Sequence, residues 1–400
     1  MSKYLGVWKW IVPIVGVPCV VIASNPDIIY PTVVLPVLHS MDAEKAHKLS
    51  VWFSHNLKSL IPSEQKCKDI DYKSLEVDAL GQHFTNPIGV AAGYDKNAET
   101  MGAMQKIGFG CVEVGSVCPQ PQEGNPKPRV FRVKSNPESS KFDSIINRYG
   151  FNSDGSSTVS QRLSEYRDQN QDKDFKVGVN LGKNKISPPS SNDDYVDGVR
   201  KLSKYADYLV INISSPNTPH LRALQDKDPL SNLLRDVSTS LQSERELQKR
   251  SIPLLVKIAP DLTDEQKKDI ADLALIHKID GIIISNTTIS RDLLHESDPL
   301  SKEIGGLSGK PLSEMSTKVL RDIYKLTNGK VTLVGAGGIS TGADILDKIE
   351  AGASLVQLYT SLTVEGPPIV SRLKRELTQE MRKRGYKSIQ EAIGKKANVQ

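Results

Sequence analysis

Residues 208–218 read YLVINISSPNT, a β-branched apolar run that breaks into small polar residues before a helical stretch begins. An apolar run without period-two alternation predicts a strand covered on both faces, as in a parallel sheet. The same phrase recurs from residue 80 onward. Its apolar runs are Ile88–Ala92, Cys111–Val114, Val177–Leu181, Tyr208–Ile213, Leu254–Ile258, Gly281–Ser285, Thr332–Val334 and Ser354–Leu358. Eight strands alternating with helices predict an α/β protein built as a closed (β/α)8 TIM barrel, with a doubly wound open sheet as the alternative.

A barrel gathers its chemistry at the carboxyl ends of its strands. Those ends carry AAGYDKN (91–97), GS (115–116), NLGKNK (180–185), NISSPNT (212–218), Lys257, SNTT (285–288), GAGG (335–338) and YT (359–360). They hold no His and no Glu. The histidines lie elsewhere without metal-ligand spacing, so no metal site is expected, and no carboxylate pair suits glycoside chemistry. Asn, Ser, Thr, Lys and glycines suit a planar ligand read by hydrogen bonds, with a phosphate held by backbone amides. GAGGISTG at 335–342 is a weak dinucleotide-binding match, because its third glycine is displaced. After the seventh strand it reads better as half of a phosphate site, which Tyr359–Thr360 would complete after the eighth. Lys257, in LLVKIAP, sits on a buried strand end and needs an anionic or electron-rich partner. Asn212 and Asn286 match the glycosylation sequon, but interior strand ends point to ligand contact instead.

The amino terminus differs. Trp10–Pro26 runs without a charge, Lys3 and Lys9 precede it and Asp27 follows. That pattern predicts one short membrane anchor within residues 1–26, with the folded part on the far side from the lysines. Ser40–Ile61 reads as an amphipathic helix with Ser40 as N-cap and Pro62 as terminator. Ala43, Ala46, Leu49, Phe53, Leu57 and Leu60 form its apolar stripe, suited to the barrel surface or a lipid interface. The expected division is an anchor (1–26), a helical membrane-associated segment (27–63) and a barrel domain (64–400).

The chain has 400 residues, 38% hydrophobic and 25% charged, the profile of a water-soluble globule with a sizeable core. Disordered, collagenous and polytopic membrane classes are excluded. A net charge of +5 over this length is too dilute for a nucleic-acid binder, and no nucleic-acid partner is expected. Cys19, Cys67, Cys111 and Cys118 show no metal or disulfide spacing, and Cys111 and Cys118 read as reduced and structural.

In order along the chain, VAAGYDKN, GSVCPQPQEGNPKPRVFR, NRYGFNS, NLGKNK, NISSPNT, SNTT, GGLSGKPL, GAGGIS and VQLYT resemble the dihydroorotate dehydrogenases, specifically the membrane-associated, quinone-dependent class. The resemblance spans roughly residues 28–397. It implies an FMN barrel that oxidises dihydroorotate to orotate and passes electrons to ubiquinone, the fourth step of pyrimidine synthesis. It places Ala91, Ala92, Gly93, Ser116, Asn180, Asn212, Lys257, Ser285, Gly309, Gly338, Tyr359 and Thr360 around FMN. Around the pyrimidine it places Lys96, Asn147, Arg148, Tyr149, Gly150, Phe151, Asn212, Asn217, Asn286 and Thr287. Ser215 falls where the quinone class keeps its catalytic base and the soluble classes carry Cys. His47, Arg132 and Tyr359 resemble residues lining the quinone tunnel. The family's eukaryotic members imply the mitochondrial inner membrane, with the catalytic domain facing the intermembrane space, although the first 25 residues contain no arginine of the usual presequence kind.

The implied reaction removes a proton from C5 and a hydride from C6 of the ring. Ser215 is a poor base unaided, so a water or Thr218 is expected to relay its proton outward. The asparagines would satisfy ring amide edges, Lys96 the substrate carboxylate, and Lys257 the negative charge of a reduced flavin. Two rival readings are a uridine-reducing FMN barrel acting on tRNA, which should carry a basic RNA surface and a catalytic cysteine, and a non-catalytic membrane-tethered binding protein. No basic RNA-binding surface is visible, and no cysteine stands near the Ser215 motif.

Overall fold

The computed structural model describes residues 26–397 except 62, 65, 66, 137, 140, 171, 173, 296 and 297. Eight parallel strands close into a barrel: β1 (Ile88–Val90), β2 (Cys111–Val117), β3 (Lys176–Leu181), β4 (Tyr208–Asn212), β5 (Leu254–Ile258), β6 (Gly281–Ile284), β7 (Thr332–Ala336) and β8 (Ala353–Leu358). Each pairs with its sequence neighbour and β8 pairs with β1, so every predicted run is a barrel strand. Burial on both faces is what made them continuous apolar runs. Inside, the fully buried Tyr208 ring fills the barrel against Gly178, where a Cβ would overlap the ring.

Outside the strands, helices such as Ser156–Gln169, Lys227–Gln248 and Ile369–Arg384 bury one apolar face each against the barrel. Two additions accompany the barrel, of which the second reaches the site. A short hairpin, Val77–Ala79 with Gln82–Phe84, precedes β1. A three-stranded antiparallel sheet, Val130–Val133, Ser144–Asn147 and Gly306–Gly309, pairs segments of two strand-to-helix loops.

The single amphipathic helix expected over Ser40–Ile61 is divided. A helix Leu35–Ser40 ends where the N-cap was placed, and Ser40 Oγ donates back to the Val37 carbonyl instead. Asp42 caps the next helix, Ala43–Asn56, its carboxylate accepting from the Lys45 amide at 2.9 Å. Both residues are good N-caps, and the carboxylate also favours a helix amino terminus electrostatically. The stripe is broken too: Ala46 is buried and Phe53 packs against the core, but Leu49 is 42% exposed. Charge ties the helix down as well. Buried Glu44 takes a two-pronged contact from Arg129, at 2.8 and 3.0 Å. Burial raises the Glu44 carboxyl pKa, but Arg129, Lys127 and Lys48 overcome it and hold it at about 2.

The anchor expected over residues 1–26 lies, Pro26 apart, outside the described residues. Among those described, no helix is long and apolar enough to cross a membrane. The amino-terminal helices do carry Ile28, Val33, Val37, Leu49 and Trp52 as exposed large apolar side chains.

Candidate active site

The strand ends converge on one cleft with about 1070 Å³ of empty space. Its wall includes Ala91, Ala92 and Gly93 after β1, Ser116 in β2, Asn212 at the end of β4 and Ser215 after it, Lys257 in β5, and Ser285, Asn286 and Thr287 after β6. Gly337, Gly338, Tyr359 and Thr360 close it after β7 and β8. The three-stranded sheet adds Asn147 and Gly309, and the following loop adds Tyr149, Gly150 and Phe151; Lys96 and Asn217 also line it. Two expected members stand apart. Asn180 lies wholly buried beneath Ser116 and bonded to it. Arg148 turns away to Glu303, at 2.5 Å, and stacks over Phe131.

Below the cleft the amides form a directed chain. Asn286 Nδ2 donates to Ser214 Oγ (3.0 Å) and Asn212 Oδ1 (3.3 Å), and Asn212 Nδ2 donates to Ser116 Oγ (2.9 Å). Ser116 donates to Asn180 Oδ1, and Asn180 Nδ2 donates to Glu113 Oε1 at 2.7 Å. Gln357 Nε2 reaches the other carboxylate oxygen at 2.6 Å. Glu113 is fully buried and, as a carboxylate, only accepts, so it fixes the donor sense of the whole chain. Lys257 Nζ lies 3.7 Å from Glu113 Oε1, an ion-pair distance that leaves its protons free to face a ligand.

Reading only strand ends missed Glu113 and Gln357, because both sit inside their strands. The signal was present: a lone Glu in CVEVGSV and a lone Gln in ASLVQL interrupt otherwise apolar or small runs. Arg222 was missed too. Its Nε donates to the Ser214 carbonyl (3.0 Å), its Nη2 to the Thr287 carbonyl (2.9 Å), and its Nη1 pairs with Asp261 (2.9 Å).

Ser215 is buried to 7% exposure, and its hydroxyl accepts from the Asn217 amide at 3.3 Å. Thr218 Oγ1 is buried with no hydrogen-bond partner among the described residues. Lys96 Nζ sits 3.9 Å from the centre of the Tyr149 ring. Its ammonium opens partly to the cleft, yet burial, with the like charge of Arg129, lowers its pKa to about 7.

Beside the cleft, His47 Nε2 lies 2.8 Å from the Tyr94 carbonyl, which only accepts, so that nitrogen carries the proton. Burial, then Lys96, lowers the His47 pKa to about 4 and keeps the ring neutral. Nδ1 therefore accepts from the Tyr149 hydroxyl at 3.3 Å. Tyr359 meets the same imidazole edge-on at 6.3 Å. Arg132 is elsewhere, donating to the carbonyls of Leu38, His39 and Met41, where it caps the Leu35–Ser40 helix.

The chain matches the family model described as dihydroorotate dehydrogenase over residues 74–381. It is 48% identical over 377 residues to a dihydroorotate dehydrogenase (quinone), mitochondrial, of Mus musculus, covering 93% of this chain and 91% of that one. A protein of the same name from Oryza sativa subsp. japonica is 46% identical, covering 90% and 78%. The crystal structure of the ligand-free enzyme from Eimeria tenella superposes with a TM-score of 0.80 at 43% identity, covering 88% of this chain and 99% of that one.

A flavin, on which this family depends, fits the cleft on three counts. Among the described residues Lys257 has unused donors and the buried Gln357 Oε1 acceptor has no partner, and Gly338 keeps the wall close to Ser313, whose backbone a Cβ would strike. With the barrel closed, the cleft assembled and close to half of the sequence shared with the quinone-dependent enzymes, the chain belongs to the dihydroorotate dehydrogenase family, in its quinone-dependent class.

Proposed function

We propose that the chain oxidises (S)-dihydroorotate to orotate at this cleft, with FMN as its flavin and ubiquinone as final acceptor, the fourth step of pyrimidine synthesis. One observation carries the reading: Ser215, Lys257 and the amides of Asn147, Asn212, Asn217 and Asn286 line a single cleft although they come from four segments far apart in the sequence. When bound, FMN supplies the acceptor for the electrons and hydrogen that leave C6. Ala91, Ala92, Gly93, Ser116, Asn212, Lys257, Ser285 and Tyr359 hold its ring end, with Asn180 beneath, and Gly309, Gly338 and Thr360 hold its phosphate. Lys257 keeps a positive charge at the ring, favouring the reduced state.

On the pyrimidine, Asn147, Asn217, Asn286 and Thr287 meet the amide edges, which would be costly to bury unpaired. Lys96 holds the carboxylate, and Tyr149, Gly150 and Phe151 close over the ring. Ser215 Oγ takes the C5 proton, and Thr218 with water passes it outward; the unpartnered Thr218 hydroxyl supports that relay. Arg148 serves by fixing the loop through Glu303 rather than by touching substrate.

His47 and Tyr359 form the wall between the cleft and the amino-terminal helices, the side from which quinone approaches, while Arg132 holds those helices in place. Residues 1–26 anchor the chain, residues 27–63 lie against lipid, and residues 64–400 form the catalytic domain. The exposed apolar side chains from Ile28 to Trp52 support that division. The location is the mitochondrial inner membrane, with the catalytic domain facing the intermembrane space; the names of the mitochondrial relatives support the mitochondrion.

Anaerobic addition of dihydroorotate to purified protein should bleach a yellow flavin band, and quinone should restore it. An unchanged spectrum overturns the reading. Deleting residues 1–26 should leave activity with short-chain quinones, whereas deleting 1–62 should abolish quinone reduction and spare flavin reduction. Loss of flavin from the protein lacking residues 1–26 would refute the division.

A further inference from the structure

The Gly342–Glu350 helix carries Lys348 into the core, where the side chain is fully enclosed. The reaction as proposed does not use it. A buried ammonium is costly unless something compensates it, and an apolar side chain would fill the same space without that cost. Two hydroxyls hold Lys348 rather than a carboxylate: its Nζ donates to Ser316 Oγ at 2.7 Å and to Thr317 Oγ1 at 2.9 Å. Burial leaves its pKa at about 7, with Asp344 and Asp347 only partly offsetting the effect.

Ser316 Oγ lies 3.1 Å from the carbonyls of both Gly337 and Ser313, and its one proton, turned away from the ammonium, is shared between these two acceptors. Gly335 meanwhile brings β7 against the Lys348 stem, where a Cβ would come within 3.1 Å of Cδ. In a trans peptide the N–H points opposite to the C=O. With the Gly337 carbonyl drawn toward Ser316 and the core, the Gly338 N–H of the same peptide faces the cleft that Gly337 and Gly338 line. The ammonium, the Ser316 hydroxyl and this peptide therefore stand in series, each turning its positive end toward the cleft.

We infer that Lys348 is a positioning residue for the phosphate of FMN: through Ser316 it locks the Gly337–Gly338 peptide with its N–H outward, and it places a buried positive charge behind a phosphate dianion. The inference rests on the FMN reading above. It also accounts for the missing counter-ion, since the dianion supplies it when bound.

The test is titration of full-length protein freed of flavin with FMN and with riboflavin, which lacks the phosphate, read by flavin fluorescence. Lys348→Met should weaken FMN by roughly 10- to 100-fold, the range for losing a charged hydrogen-bonding group, and leave riboflavin within about threefold. Ser316→Ala, a smaller change that keeps the charge, should weaken FMN selectively by a lesser factor and serves if Lys348→Met does not fold. Equal losses for both flavins, or no loss, would overturn the inference and make Lys348 structural. If the unmodified protein does not prefer FMN to riboflavin, the FMN reading itself fails, and the inference with it.

Discussion

Glu113 and Lys257 face each other inside the barrel, Nζ 3.7 Å from Oε1, with the carboxylate fully buried and the ammonium nearly so. They come from β2 and β5, and the pair joins the amide chain of one side of the barrel to the charge expected at the flavin ring. Removing one partner of a buried pair typically costs about 3–5 kcal/mol, because the other charge is left uncompensated. Lys257→Met is expected to lower unfolding free energy by about that amount in denaturant titrations and to slow flavin reduction. Glu113→Gln combined with Lys257→Met should recover much of the stability but not the reduction rate. Lys257→Arg should also fail, since a planar fork does not replace a compact ammonium. Near-normal flavin reduction in either single Lys257 variant would remove the residue from the site.

Ser215→Ala removes only a hydroxyl from a strand-end loop, so fold and flavin content should stand. If the hydroxyl takes the C5 proton, reduction of flavin by dihydroorotate should slow by about 10²–10⁴, the usual worth of a general base. Reoxidation of chemically reduced flavin by quinone needs no such transfer and should keep its rate. Stopped-flow measurement of the two half-reactions decides this; equal slowing of both would mark Ser215 as structural.

Arg222 holds the carbonyls of Ser214 and Thr287, one residue away from Ser215 and Asn286 respectively. Arg222→Lys keeps a charge for Asp261 but lacks the planar fork that reaches both carbonyls at once. The expected signature is a fall in kcat for dihydroorotate of roughly tenfold or more, with quinone reoxidation and flavin content unchanged. A variant that merely melts at lower temperature, with kcat intact, would count against a positioning role.

Lys96 gives the site a pH dependence whose sign follows from its charge. Its pKa in the free protein is lowered to about 7, and a carboxylate ligand binds the protonated form and so raises that pKa. Orotate affinity should therefore be highest below about pH 7 and fall up to tenfold per unit as pH rises above it, until the pKa of the complex is reached. Lys96→Met should bind weakly and without that slope, as a calorimetric titration across pH would show.

Glu44 predicts the opposite trend at acid pH. Its folded pKa, about 2, lies below the usual carboxylate value, so its contribution is complete above about pH 4.5 and is lost as pH falls toward 2. Trp52 fluorescence should report release of the Ala43–Asn56 helix in that window, and Glu44→Gln should release it more readily at neutral pH. A pH-independent signal in both proteins would show that apolar packing alone holds the helix.

The barrel was legible from the sequence because burial of both strand faces is a local demand, written as eight apolar runs such as Leu254–Ile258 that need no knowledge of their neighbours. The strand-end groups followed from that register, and the family motifs lie along it in order. Partners distant in the chain were not legible. Glu44 meets Arg129 across 85 positions and Gln357 meets Glu113 across 244, and no local pattern encodes either meeting. Asp42 prevailed over Ser40 as the helix cap because Ser40 closes the preceding helix and the backbone is extended at Met41, so the next helix starts only after it. The sequence by itself determined which residues are strands and which are polar at their ends. Only the closed tertiary structure decided which of those polar groups touch, because hydrogen bonds and ion pairs act over a few ångströms of space, whatever their separation along the chain.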